Sequence, residues 1–114
     1  MRVISQDGTI DTPYDLSMIW IREQYGYLVM ANLPNDELVI LGKYSSRGKA
    51  LKAMEMLRES YREYIATITT TQGVAQVLMF VDNNESNLKL SANIVNGIKE
   101  NIYFQFPKDD EVEV

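Results

Sequence analysis

Ser45 to Ile65 reads SSRGKALKAMEMLRESYREYI, and this stretch decides the fold. Ala50, Ala53, Met54, Leu57, Tyr61, Tyr64 and Ile65 recur at helical spacing, which gathers them on one face of an α-helix. Lys49, Lys52, Glu55, Glu59 and Arg62 fall largely outside that stripe. Ser45 or Ser46 is placed to cap the helix with its side-chain oxygen. Glu55 with Arg58, and Glu59 with Arg62, are i,i+3 pairs that add a few tenths of a kcal/mol each at most. Beyond Ile65, Ile68 could extend the stripe. Thr67, Thr69, Thr70 and Thr71 are poor helix formers, so the helix is expected to fray there.

Upstream, three short runs read as strands. Ser17 to Glu23 (SMIWIRE) is rich in β-branched and aromatic residues, and Gln24-Tyr25-Gly26 turns it into Tyr27 to Ala31 (YLVMA). Asn32 to Glu37 (NLPNDE) is a loop, and Leu38 to Leu41 (LVIL) is a third strand ending at Gly42. Trp20 serves either as a ligand-stacking platform or as a packed sheet residue, and its strand context favours packing. At the N-terminus, Asp7-Gly8 lies between Val3-Ile4 and Ile10. That pattern predicts a tight hairpin with Asp7 as a turn residue rather than a catalytic carboxylate.

Downstream the pattern weakens. Val74 to Val81 (VAQVLMFV) fits a buried strand or helical turns equally, and Asp82 to Asn87 (DNNESN) is a polar loop. Leu88 to Glu100 suggests a second helix, and Ile102 to Phe106 (IYFQF) a strand closed by Pro107. The end, KDDEVEV, reads as an acidic, solvated tail. The expected fold is therefore α+β: an antiparallel β meander packed against one long α-helix, with a second, smaller helical or mixed segment toward the C-terminus. Residues 1–106 form one domain, 67–101 are the place for a variable insertion, and 107–114 are the acidic tail.

Composition narrows function mainly by exclusion. The 114 residues contain no cysteine and no histidine. That removes thiolate nucleophiles, imidazole bases, the Ser-His-Asp and Cys-His arrangements, and most zinc sites. No apolar run approaches the ~20 residues of a membrane helix, so a cytoplasmic chain with no membrane partner is expected. The net charge of −5 disfavours direct nucleic-acid binding. Lys43, Arg47, Lys49, Lys52, Arg58 and Arg62 hold more than half of the 11 basic residues, but the interleaved glutamates make them a solvated helix face. Asp82 and Glu85, with two asparagines between them, lack the spacing of a calcium loop, and the six scattered glycines form no phosphate loop. No metal, cofactor or catalytic residue is expected. An exposed remainder of the helical stripe, with Met54 and Met56, suits pairing with a second helix in a homodimer.

MRVISQDG with IDTPYD (Met1 to Asp15), LGKYSSRGKALKAMEMLRESY (Leu41 to Tyr61) and FQFPKDDEVEV (Phe104 to Val114) resemble a group of small proteins from phages and prophages of low-GC Gram-positive bacteria. The resemblance implies a mobile element in a bacterial cytoplasm and brings no catalytic residue with it. In that setting the leading expectation is a protein-binding module that inhibits or redirects host machinery, such as an anti-CRISPR-like inhibitor of a Cas nuclease. An acidic domain of this kind would occupy the basic nucleic-acid channel of its partner. Asp82, Glu85, Asp109, Asp110, Glu111 and Glu113 are the candidate partner-binding residues. The alternative is a phage accessory or assembly protein that works as a homo-oligomer.

Overall fold

A computed structural model of the chain describes residues 1–82 and 102–113. The meander is β3 (Met18–Glu23), β4 (Tyr27–Asn32) and β5 (Leu38–Tyr44), all antiparallel and in that spatial order. Tyr25 and Gly26 both take positive φ in the β3–β4 turn, where glycine removes the Cβ penalty for one of the two positions. A second three-stranded sheet has the order β2-β1-β6, from β1 (Arg2–Ile4), β2 (Asp11–Pro13) and β6 (Tyr103–Gln105). β1 and β6 run parallel, so the two ends of the chain lie side by side. Sequence periodicity gave no hint of that pairing, because the partner strands are about 100 residues apart.

β5 runs on through Gly42 to Tyr44 instead of stopping at Gly42. A β-bulge makes this possible: Val29 faces Gly42 and Met30 faces Ile40, which leaves Leu41 as the extra residue. Alternation along β5 puts Val39 and Leu41 on the inner side, Leu41 being 1% exposed, and Ile40 outside at 50%. The bulge then resets the parity so that Tyr44, rather than Lys43, turns into the core. The absence of a Cβ at Gly42 lets Gln6 close on the same edge. A methyl group there would lie 3.1 Å from the Tyr44 ring and 3.4 Å from the Gln6 side chain.

The helix α1 (Arg47–Asp82) lies on the inner face of the meander. Ser46 is its cap, with Oγ accepting from the Lys49 N–H at 3.2 Å. Ala50, Ala53, Met54, Leu57, Tyr64 and Ile68 are buried against Val29, Ala31 and Leu41 of the meander and Val3, Phe104 and Phe106 of the second sheet. Ile65 departs from the expected stripe and is 42% exposed, whereas Ile68 continues it. Tyr61 stacks on Tyr14 with ring centroids 4.3 Å apart. Glu55 pairs back with Lys52, at 3.7 Å.

The helix does not fray at the threonines. Thr67 Oγ1 donates to the Glu63 carbonyl and Thr71 Oγ1 to the Thr67 carbonyl, both at 2.8 Å. Each β-branched hydroxyl thus bonds one turn back along the helix instead of competing with it. The backbone remains helical through the Val74–Val81 run to Asp82, which settles that run as helix. The second helix expected over Leu88 to Glu100, and the rest of the DNNESN loop, lie outside the described residues. No helix among the described residues is long and apolar enough to cross a membrane.

The Asp7-Gly8 hairpin forms, with a longer loop than a two-residue turn. β1 and β2 are joined through Ser5 to Ile10, and of the two turn residues only Gly8 takes a positive φ. The Asp7 carboxylate accepts from Ser5 Oγ, Thr9 Oγ1 and the Thr9 N–H, a turn role as expected. Gln6 is the tie between layers. Its N–H donates to the Leu41 carbonyl, its Oε1 accepts from the Lys43 N–H, and its Nε2 donates to the Pro107 carbonyl. One side chain thereby covers the outer edge of β5 and holds the C-terminal segment to it.

Candidate functional site

The six candidate carboxylates do not form one cluster in the described structure. Asp82 is the last residue of α1, and Glu85 lies outside the described residues. The other four belong to the C-terminal segment, which packs on the domain instead of trailing into solvent. Val112 is 3% exposed and belongs to the main core, and residues 109–111 form a 3-10 turn. Tyr44 Oη donates to the Pro107 carbonyl at 2.7 Å; burial pushes this phenol up, well away from ionisation.

Asp109 is taken up by the fold. Its Oδ1 accepts from the Ser45 N–H at 2.8 Å and from Ser45 Oγ at 3.0 Å, just ahead of the first turn of α1. Lys49 Nζ donates to the Asp109 carbonyl at 2.9 Å and stands 3.5 Å from its Oδ2. The Ser45 hydrogen bonds, with Lys49 behind them, hold the Asp109 carboxyl below its ordinary range. Glu111 accepts from the Lys108 N–H, closing the 3-10 turn, and remains exposed. Asp110 and Glu113 are exposed as well, and Glu113 borders a groove of about 360 Å³ with Gly48, Leu51, Lys52 and Glu55. Asp109 and Val112 therefore anchor the segment, and Asp110, Glu111 and Glu113 are presented by it. The sequence carried one usable sign of this docking: a valine between acidic residues, which a purely solvating tail has no need of.

A cleft of about 400 Å³ lies between the segment after β2 and α1, lined by Tyr14, Asp15, Ser17, Ile19, Met54, Leu57 and Arg58. The Asp15 carboxylate beside the Tyr61 hydroxyl raises that phenol's pKa. Elsewhere the three hydrogen bonds to Asp7 lower its carboxyl to about 2. Every shift resolved among the described residues moves a carboxyl down or a phenol up, away from neutral pH. The cleft brings the Asp15 carboxylate and the Arg58 guanidinium together over the apolar side chains of Ile19, Met54 and Leu57.

The outer face of the meander is a feature that the sequence reading did not single out. Side chains alternate along the strands, so Ile19, Ile21, Val29 and Ala31 face α1 while Met18, Trp20, Leu28 and Met30 face away. β5 adds Leu38 and Ile40 to this outer side. Trp20 is half-buried there, in a cross-strand row with Met30 and Ile40; Met18 is 68% and Leu38 59% exposed. On α1, Met54, Leu57 and Tyr64 are buried by the chain's own sheets, while Leu51, Met56 and Ile65 stay exposed at 47%, 36% and 42%. No protein-family model, curated protein or solved structure matches the chain.

Proposed function

We propose that the chain is a protein-binding module rather than an enzyme. In the phage or prophage setting that its resemblance implies, it inhibits or redirects host machinery in the cytoplasm. The leading case is an anti-CRISPR-like inhibitor that occupies the basic nucleic-acid channel of a Cas nuclease. The observation that carries this reading is the docked C-terminal segment. Asp109 and Val112 hold it in place, so Asp110, Glu111 and Glu113 form an ordered acidic array, which a loose tail would not offer. Preordering lowers the entropy lost on binding, and a fixed row of carboxylates can take the place of phosphates against lysine and arginine. The absence of histidine and cysteine from the sequence supports the non-catalytic half of the proposal.

The test is a binding titration against a purified Cas nuclease, with and without guide RNA, for the wild type and the Asp110→Asn, Glu111→Gln, Glu113→Gln triple variant. Binding that competes with nucleic acid, falls at least about tenfold between 0.1 and 0.5 M salt, and weakens in the variant is the expected result. Affinity indifferent to salt and to the triple substitution would sink the charge-mimic mechanism. The second reading, an accessory or assembly protein acting as a homo-oligomer, is favoured by a different observation, the exposed Met18, Leu38 and Ile40 on the outer face of the meander.

A further inference from the structure

We infer that the outer face of the β3–β4–β5 sheet is a self-association surface, and that a second copy of this chain covers it about a two-fold axis along the row Trp20–Met30–Ile40. The inference is independent of the inhibitor reading, since it uses none of the acidic C-terminal residues.

The strands themselves pose the question. MIWI, YLVMA and LVIL are continuous apolar runs, the pattern of strands covered on both faces, whereas a sheet with one wet face alternates apolar with polar. Here α1 covers one face. The other leaves Met18, Leu38 and Ile40 at least half exposed beside the half-buried Trp20, with Met30 beneath them at 7%. A contiguous apolar patch of this kind marks an interaction site.

Charge selects the occupant and its orientation. The row at one end of the face is Arg22–Leu28–Lys43, and the row at the other end is Met18–Asn32–Leu38, followed by the β4–β5 turn with Asp36 and Glu37. Neither Arg22 nor Lys43 is in an ion pair among the described residues. Two sheets packed face to face lie about 10 Å apart with strands within about 30° of alignment. A two-fold axis along the central row runs each strand antiparallel to its own copy. The basic end of one copy then meets the acidic turn of the other, twice by symmetry. An axis parallel to the strands would set basic end against basic end.

The apolar face spans about 15 by 20 Å, smaller than a standard interface, so a micromolar rather than nanomolar dimer is expected. Because Trp20 is the single tryptophan and sits on the proposed axis, its emission reports on this face alone. Sedimentation equilibrium and Trp20 fluorescence of the full chain are followed from about 1 to 300 µM, a range that brackets such an affinity. The mass should rise from 13.1 kDa toward twice that value, with a blue shift of emission over the same range.

Ile40→Glu and Leu38→Lys, both at exposed positions, should remain monomeric with unchanged far-UV circular dichroism. Arg22→Glu/Lys43→Glu and Asp36→Lys/Glu37→Lys should each weaken self-association at least about tenfold. Their equimolar mixture should restore it, because every end then meets its opposite. A wild type that stays at 13.1 kDa overturns the inference, whether its emission is red (a bare face) or blue and independent of concentration (a face covered within the chain). A dimer that survives both Ile40→Glu and Leu38→Lys places the contact elsewhere. A mixture that fails to restore association overturns the two-fold orientation.

Discussion

The meander has two apolar faces, and among the described residues only one lies beneath a helix. Ile19, Ile21, Val29, Ala31 and Leu41 pack with α1, while Met18, Trp20, Leu28, Met30, Leu38 and Ile40 lie on the opposite side. The residue types are interchangeable between the two sets; what separates them is strand parity. Composition therefore shows that a sheet has apolar surface to cover, and the count of covering elements shows how much remains uncovered. One helix covers one face.

The sharpest way to break this comparison is at Ile40 and Leu41, adjacent in sequence and opposed in space. Leu41→Ala removes a side chain that is 1% exposed and leaves a cavity, so it should lower stability by about 2–5 kcal/mol. Ile40→Ala, from a half-exposed side chain, should cost about 1 kcal/mol or less when the chain is monomeric. Urea unfolding at about 1 µM, below the expected dimer range, measures both. Equal losses would mean that the outer face is covered in the monomer and that the contrast between the faces is false.

Acid provides a second, smaller test, aimed at what holds the inner side together. Asp7 pins the loop that brings Gln6 to the edge of β5, and its carboxyl is held at about 2 against an ordinary 3.8. A group whose folded pKa is depressed contributes stability above its unfolded pKa and loses that contribution as pH falls through the folded value. Asp109, lowered by the Ser45 hydrogen bonds, has the same sign. The melting temperature should therefore decline between pH 4 and 2, and Asp7→Asn should flatten that decline. An Ile40→Glu background should show the same dependence on Asp7, because the outer face plays no part in it. Identical pH profiles for wild type and Asp7→Asn would remove Asp7 from the account.

The parts of the fold that were legible in the sequence are local. The start of α1 was readable because Ser46 and the Ala50-to-Tyr64 stripe lie within a few turns of one another, and the three meander strands because each is a short apolar run between turn residues. The parts that were not legible depend on distant partners. Asp109 looks like any tail aspartate until Ser45 and Lys49, about 60 residues earlier, are placed against it. The parallel β1–β6 pair has the same cause. The bulge at Leu41 has no motif of its own, so the change of parity that puts Tyr44 rather than Lys43 in the core could not be read from alternation. Of the candidate site residues, Asp110, Glu111 and Glu113 stand exposed as the acidic reading required, Asp109 is bound within the fold, and Glu85 lies outside the described residues.

The contrast of covered and uncovered surface also runs along α1 and gives the mildest test. Up to Ile68 the helix has a buried stripe; from Thr69 to Gly73 no side chain is buried. Gly73 is helical, and a Cβ added there would meet nothing within 4 Å. Glycine at an exposed helix interior costs roughly 1 kcal/mol relative to alanine, through the backbone freedom it gives up. Gly73→Ala should therefore strengthen this part of the helix without touching the packing. Hydrogen exchange should slow at the amides around residue 73, by up to about fivefold for that energy, with little change at Ala53 or Leu57. If the whole helix forms and melts with the core as one unit, the gain spreads instead to every slow amide and to the melting temperature. The two outcomes decide whether the bare length of α1 is a cooperative part of the domain or a helix propagated from its covered half.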